Sequence, residues 1–209
     1  MDAPTVGDMS ATVVAAARDW SELPLAALAS VIGKLGALDI LMVASLVCHT
    51  WLEAAKVPEL WRSVLMVNPK INLDALCAMA KVAVDRSAGQ LKYFAGEQFV
   101  TDELLKYIAD RSPALKVVLL VSCERVSNDG FSKLVAKCPQ LEELALAFCE
   151  NVCGRDCTND ELAFVLDSCP HLKDLNLRDC FQLVVDHVLR ARFGGIKSMT
   201  LPRARGLNP

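Results

Sequence analysis

The sequence predicts an α/β protein with an N-terminal module of three short helices followed by a short solenoid, which has parallel strands on one side and helices on the other. A nine-residue pattern recurs three times in the second half of the chain. A proline stands just upstream of each copy, and apolar residues recur at helical spacing between the copies. In the first half, residues 23–61 carry apolar residues at helical spacing, interrupted by Gly36 and Pro58.

The recurring pattern is Leu-x-x-Leu-x-Leu-x-x-Cys, with one valine, and its copies begin at residues 115, 141 and 172. Weaker copies begin at residues 91 and 196, so the steps are 24, 26, 31 and 24 residues. Side chains alternate along a strand, so Leu144 and Leu146 point to the same face. We therefore predict a strand in each copy and four to five units over residues 91–201.

The segments between the copies predict helices. Leu104, Leu105 and Ile108 share one side of a helix, and two later segments repeat this spacing. The prolines stop each helix because proline lacks an N–H and restricts the residue before it. Predicted N-terminal caps are Thr101, Ser127 and the Thr158-x-x-Glu161 capping box. A strand–helix unit of this size cannot bury its apolar sides alone, so the units are expected to stack.

The N-terminal module is predicted over residues 18–65. Pro24 opens the first helix and Gly36 stops it. The second helix is predicted over 40–48 with Asp39 as its cap, and it is apolar nearly all round, which favours burial on several sides. The third begins near Thr50, and 58–61 closes the module.

The remaining segments complete the predicted organisation. Residues 1–17 are expected to be disordered, and residues 66–90 to form a connecting helix that covers the end of the solenoid. Residues 202–209 form a tail. The last twenty residues hold five basic and no acidic side chains, a pattern more typical of a solvated end than of a binding site.

Composition excludes several classes. The 25 acidic and 22 basic residues leave a formal net charge of −3, which argues against binding nucleic acid by phosphate neutralisation. With 53% hydrophobic and 22% charged residues, the chain is not disordered as a whole. No apolar run approaches the roughly 18 residues of a membrane span, and residues 1–10 lack the basic start of a secretory signal. We expect the protein inside the cell, in the nucleus and/or the cytoplasm.

The nine cysteines are expected to be reduced thiols, because an odd number spread along an intracellular chain is poor evidence for a disulfide framework. Cys149, Cys153 and Cys157, with His171, suggest a zinc site. Structural zinc ligands usually come in close Cys-x-x-Cys pairs, and Cys149 already has a place in the repeat pattern. A plain loop is therefore favoured, with no metal and no cofactor.

The three complete copies resemble the cysteine-containing leucine-rich repeats of F-box proteins, whose signature is C-P-x-L-x-x-L-x-L-x-x-C. Residues 18–65 resemble an F-box. The matching residues are Leu23-Pro24, Ile32, Leu35, Asp39-Ile40-Leu41, Leu46-Val47-Cys48, Trp51 and Leu60-Trp61. Gly36-Ala37 departs from the family, which often has a proline after the leucine. The sequences of residues 48–55 and 85–89 are similar to those of a plant group of F-box leucine-rich-repeat proteins.

The resemblance implies binding to a Skp-type adaptor and, through it, to cullin. The alternative is that the module is only a small bundle or the cap of the solenoid. About 45 residues bury little surface, so apolar side chains left exposed would need a partner, which favours adaptor binding. The residues assigned to the adaptor face or its immediate support are Leu23, Pro24, Ile32, Leu35, Val47, Trp51 and Trp61.

The implied function is substrate recognition in an SCF-type E3 ubiquitin ligase, with the repeats binding a protein substrate for ubiquitylation. Candidate substrate-binding residues are the outward strand positions Lys116, Glu142, Glu143, Lys173 and Asp174, although such charges also serve solubility. The alternative function is a non-catalytic scaffold or decoy, which binds the Skp-type adaptor through the F-box but recruits no substrate because its repeat array is truncated.

No catalytic residues are assigned, and the chain is expected not to be an enzyme. The three histidines, His49, His171 and His187, have no nucleophile or metal motif around them. Most cysteines fall on apolar faces, where a thiol is inert.

Overall fold

The computed structural model describes residues 23–68, 70–149, 151–152, 159–178 and 193–200, although not the side chains of 159, 161 and 178. The helices are α1 (Leu25–Ile32), α2 (Ala37–Met42), α3 (His49–Ala54), α4 (Leu73–Arg86), α5 (Asp102–Arg111), α6 (Asn128–Lys137) and α7 (Asn159–Ser168). The strands are β1 (Ser63–Met66), β2 (Tyr93–Glu97), β3 (Val117–Val121), β4 (Glu143–Ala147), β5 (Asp174–Arg178) and β6 (Ser198–Thr200). Short 3-10 turns lie at Ala44–Leu46, Pro58–Trp61 and Phe193–Gly195.

The strands form one parallel sheet in the order β1-β2-β3-β4-β5-β6, each pairing with the strand before it. The repeat pattern sets the register, because Leu144 pairs with Leu175 and Leu146 with Leu177. All four leucines are buried on the face that packs against the helices. The predicted α/β class, with N-terminal helices followed by parallel strands and helices, is confirmed.

The sheet begins earlier than the sequence predicts. Strand β1 pairs with β2 ahead of Leu91, and α4 packs against β1. Residues 63–86 therefore form a strand–helix unit of their own, and α4 does more than cover the end of the solenoid. The leucine pattern is missing here because Val64 and Met66 fill the buried positions.

Three helices of the repeat region are capped by side chains. The oxygens of Asn72, Thr101 and Ser127 accept hydrogen bonds from backbone N–H groups at the starts of α4, α5 and α6. Thr101 and Ser127 were predicted as caps, whereas the Thr158 cap lies outside the described residues. These caps hold each helix start in place beside the preceding strand.

The N-terminal helices are shorter than predicted. Helix α1 ends at Ile32 rather than near Gly36, and α2 spans Ala37–Met42 rather than 40–48. Gly36 is extended (φ −72°, ψ 159°) and takes the N-cap position, so Asp39 lies in the first turn and is not the cap. At Val43 the backbone leaves the helix (φ −122°, ψ −65°) and a 3-10 turn follows.

One hydrophobic core runs through both halves of the described chain. It includes Leu28, Ile32 and Trp61 from the N-terminal module and continues through the helix-facing leucines of the sheet. Within the described residues, no helix is long and apolar enough to span a bilayer. The predicted disordered start (1–17), the tail (202–209) and Cys180 lie outside the described residues.

Candidate functional site

The N-terminal module carries an unusual number of exposed large apolar side chains. We call this set the module surface, and its members are Leu25, Val31, Leu35, Met42, Val43, Leu46 and Val47. Leu46 is 77% exposed, Val43 62% and Val47 56%. Large exposed apolar patches are typical of interaction sites, so the module surface is a candidate functional site.

The backbone after α2 creates the most exposed part of this surface. In the 3-10 turn, Ala44 and Ser45 point inward, and the Ser45 hydroxyl donates a 2.7 Å hydrogen bond to the carbonyl of Ile40. Residues three apart share a side of a 3-10 turn, so Val43 and Leu46 are directed outward together. The prediction that this apolar stretch is buried on several sides is wrong for the described chain.

The residues predicted for the adaptor face fall into two groups. Pro24, Leu35 and Val47 are exposed, and Leu23 and Trp51 are half-buried against the core. The Trp51 indole N–H is buried and has no acceptor among the described residues.

Ile32 and Trp61 are fully buried, so of the two predicted locations, the face and its immediate support, they occupy the support. Their side chains support the surface from inside, because both belong to the core on which α1 and β1 pack.

Trp61 joins the module to the repeat region. Its indole N–H donates a 2.9 Å hydrogen bond to the carbonyl of Ala55. The guanidinium of Arg86, at the end of α4, lies 5.3 Å from the Trp61 ring and donates to the Ser45 hydroxyl over 3.3 Å. Partial burial lowers the pKa of Arg86 from its ordinary value. One cation thus contacts both the turn beneath the module surface and the tryptophan beside β1.

Sequence reasoning missed five members of the module surface: Leu25, Val31, Met42, Val43 and Leu46. The available signal was a second helix with apolar residues all round and no polar face. That pattern predicts a helix buried within the chain, whereas the structure leaves one side of this segment exposed.

The sheet has a second exposed surface, the open sheet face, on the side away from the helices. It carries the strand residues that alternate with the buried ones. These are Ser63, Leu65, Tyr93, Ala95, Glu97, Val117, Leu119, Val121, Glu143, Ala145, Ala147, Asp174, Asn176, Ser198 and Thr200. Of the five predicted substrate-binding residues, Glu143 and Asp174 lie on this face as the first residues of β4 and β5. The other three, Lys116, Glu142 and Lys173, directly precede β3, β4 and β5.

Three of the five form a chain of ion pairs. Lys116 and Lys173 each donate to a different carboxylate oxygen of Glu142, which lies between them on the sheet. These two bonds lower the pKa of Glu142 to about 2. The other two predicted residues, Glu143 and Asp174, lie directly opposite each other as register partners on β4 and β5.

The described residues contain no group of three or more His, Cys, Asp or Glu side chains arranged to hold a metal ion. Cys149 is buried, with its sulfur 3.6 Å from the carbonyl oxygen of Leu120. Cys153 and Cys157 lie outside the described residues.

Comparisons with known proteins identify the family of the chain. The F-box-like family matches residues 20–66. Two similar proteins of Arabidopsis thaliana are the putative F-box/LRR-repeat protein 23, 31% identical over 88% of this chain and 54% of its own length, and the F-box protein SKIP19, 30% identical over 92% and 80%. The chain thus spans about half of the first relative and four fifths of the second.

Among solved structures, the crystal structure of the Rad7 and Elc1 complex in yeast contains a similar chain. The TM-score is 0.41 and the identity 19%, over 74% of this chain and 35% of that one. The family assignment does not depend on it, because it follows from the F-box-like match and from relatives aligned over most of this chain. The chain belongs to the plant F-box/leucine-rich-repeat proteins.

Proposed function

We propose that this chain is the substrate-recognition subunit of an SCF-type E3 ubiquitin ligase. The module surface would dock a Skp-type adaptor, which connects to cullin, and the repeats would hold a protein substrate. The bond-forming chemistry would take place on other subunits, so the chain itself would be non-catalytic and would act by raising the local concentration of substrate.

The observation that carries this proposal is the exposure of the Val43, Leu46 and Val47 side chains at the turn that follows α2. Complete burial of one large aliphatic side chain contributes about 1.5–3 kcal/mol. Burial of Val43, Leu46 and Val47 together would therefore supply several kcal/mol, a large part of the free energy of a micromolar complex, which is about −8 kcal/mol. Such a cluster has the character of an interface hot spot.

The rigid connection between the two halves also supports the proposal. The shared core and the contacts of Arg86 with Trp61 and Ser45 hold the module surface at a defined position relative to the sheet. A recognition subunit needs this property, because a substrate must be presented at a fixed distance from the transfer centre.

The test is binding to a purified plant Skp-type adaptor, measured by co-purification and calorimetry. We expect the double variant Val43→Ala, Leu46→Ala to bind at least ten times more weakly than the unmodified chain. Val82→Ala is the matched control, since Val82 is 41% exposed but lies on α4, and its affinity should not change. Failure of the folded, unmodified chain to bind the adaptor would contradict the proposal, as would equal losses in both variants.

A second assay addresses the substrate half of the proposal. In a ligase reconstituted with adaptor, cullin and ubiquitin-loaded enzyme, a recognition subunit supports ubiquitylation of a bound protein. A scaffold or decoy binds the adaptor and supports none.

A further inference from the structure

We propose that the open sheet face selects extended substrate segments in which an aliphatic side chain and a basic side chain lie two residues apart. This inference rests on the proposed function, since it names the class of substrate that the repeats would take.

The half of the face nearer the N-terminal module is largely apolar, although Ser63 and Glu97 also lie on it. One row across the sheet pairs Leu65 with Ala95, Ala95 with Leu119 and Leu119 with Ala145. Leu65 is 56% exposed and Leu119 is partly exposed, while Ala95 between them is small and buried. Val117, partly exposed, lies beside Leu119 on β3. This half of the face suits an aliphatic side chain.

The other half is acidic and polar. Glu143 and Asp174 are direct register partners, with their side chains on the same face. Like charges placed directly opposite each other in a sheet are destabilising. Neither carboxylate forms an ion pair with another described residue, because the neighbouring Lys116 and Lys173 both bind Glu142.

A groove of about 200 Å³ lies over this half. Glu143, Asp174, Ser198 and Thr200 line it. Two carboxylates and two hydroxyls converge on it, which is the environment that an ammonium or guanidinium group requires. A basic side chain from a partner would also relieve the repulsion between Glu143 and Asp174.

The spacing follows from the sheet. Neighbouring strands lie about 4.8 Å apart, so β3 and β5 are separated by about 10 Å. An extended segment advances about 3.3 Å per residue, so two residues carry it about 7 Å, from Val117 to the groove between β4 and β5, and side chains two residues apart point to the same face. Val117, Glu143 and Asp174 lie in one row, so the segment can cross the strands directly.

The test uses the full chain and two fluorescein-labelled nonapeptides of serine and alanine. Both have leucine at the third position, and the fifth position is arginine in one and glutamate in the other. We expect the arginine peptide to bind at least tenfold more tightly by fluorescence anisotropy, with an affinity that falls as salt is raised. A peptide with arginine moved to the ninth position should bind more weakly than the one with the predicted spacing.

Two variants connect the preference to the sheet. The double variant Glu143→Lys, Asp174→Lys should reverse the preference, so that the glutamate peptide binds better. Its matched control, Glu103→Lys, Asp129→Lys, makes the same change of charge on α5 and α6 and should keep the arginine preference. Equal binding of the two peptides, binding of neither, or a preference unchanged by the first variant would overturn the inference.

The peptide assay contains no adaptor, and the adaptor assay contains no peptide. Loss of adaptor binding with an intact arginine preference would therefore contradict the proposed ligase role alone. Adaptor binding without the arginine preference would contradict only the substrate class.

Discussion

Gly130 is a position where a single methyl group should break the connection between two repeats. A Cβ atom added there would lie 2.0 Å from Oδ1 of Asp102 and 2.3 Å from its Cγ. That carboxylate accepts hydrogen bonds from the backbone N–H of Ser127 over 2.8 Å and from its hydroxyl over 2.6 Å. The hydroxyl also caps α6 by accepting from the N–H of Gly130. Gly130→Ala should therefore displace Asp102 and weaken both bonds between the start of α5 and the start of α6.

The size of the effect follows from these contacts. A hydrogen bond to a charged group contributes about 1.5–3 kcal/mol, and two such bonds are at risk. Replacing glycine by alanine in a helix raises the unfolding free energy by up to about 1 kcal/mol, which offsets part of this loss. Since the displaced carboxylate regains some solvation, the expected net loss of unfolding free energy is about 2–4 kcal/mol.

The assay is equilibrium urea unfolding in two backgrounds. In an Asp102→Ala chain the carboxylate is already absent, and of the three nearest contacts the one to the Cβ at residue 102, at 2.8 Å, remains to be relieved by a small shift. We therefore expect Gly130→Ala to cost less than about 1 kcal/mol in that background, a coupling typical of residues in direct contact. Gly194→Ala is the control, because a Cβ there meets no atom of the described residues within 4 Å and should leave stability nearly unchanged.

The reasoning is refuted if Gly130→Ala costs the same with and without the Asp102 carboxylate. Such a result would mean that the helix backbone, rather than the hydrogen bonds between repeats, determines the effect.

Three further predictions follow from other contacts. Arg86→Ala, which removes the cation over Trp61, should lower the unfolding free energy by about 1–2 kcal/mol. Arg86→Lys keeps the charge and should lower the unfolding free energy less. Urea unfolding measures both variants. The pKa of Glu142 is about 2 in the folded chain against an ordinary 4.5, so its stabilising effect is complete above pH 4.5 and is lost as the pH falls towards 2. Unfolding curves of Glu142→Gln should therefore depend less on pH across that interval. Burial raises the pKa of Cys138 to about 11 and that of Cys169 to about 12, so iodoacetamide at about pH 8 should modify neither thiol until urea unfolds the chain, as peptide mass spectrometry would show.

The strands and helix caps of the repeat region could be predicted from local sequence patterns. The leucines of each copy were assigned to strands from their spacing alone, and β3, β4 and β5 lie at those copies with Cys123 and Cys149 buried as expected. Thr101 and Ser127 were also identified as caps before the structure was considered. A strand, a cap or a proline stop depends on residues close together in the chain, so these features can be read without knowing what packs on them.

The first strand shows where this approach fails. Residues 63–66 do not carry the leucine pattern, and β1 exists because β2 offers an edge to which it can bind. Pairing with a distant strand, more than local preference, determines such a strand.

For the candidate site, the chain by itself determined the residue types: an apolar N-terminal module that contains Trp51 and Trp61, and charged residues at the starts of the strands. Only the tertiary structure decided which of them are accessible. Ile32 and Trp61 are buried while Val43 and Leu46 are exposed, and Glu142 is bound by two lysines while Glu143 and Asp174 are left facing each other. The physical reason is that exposure and charge pairing depend on which distant elements cover each side chain, and an apolar residue has the same letter whether its neighbour is the core of its own chain or the surface of a partner.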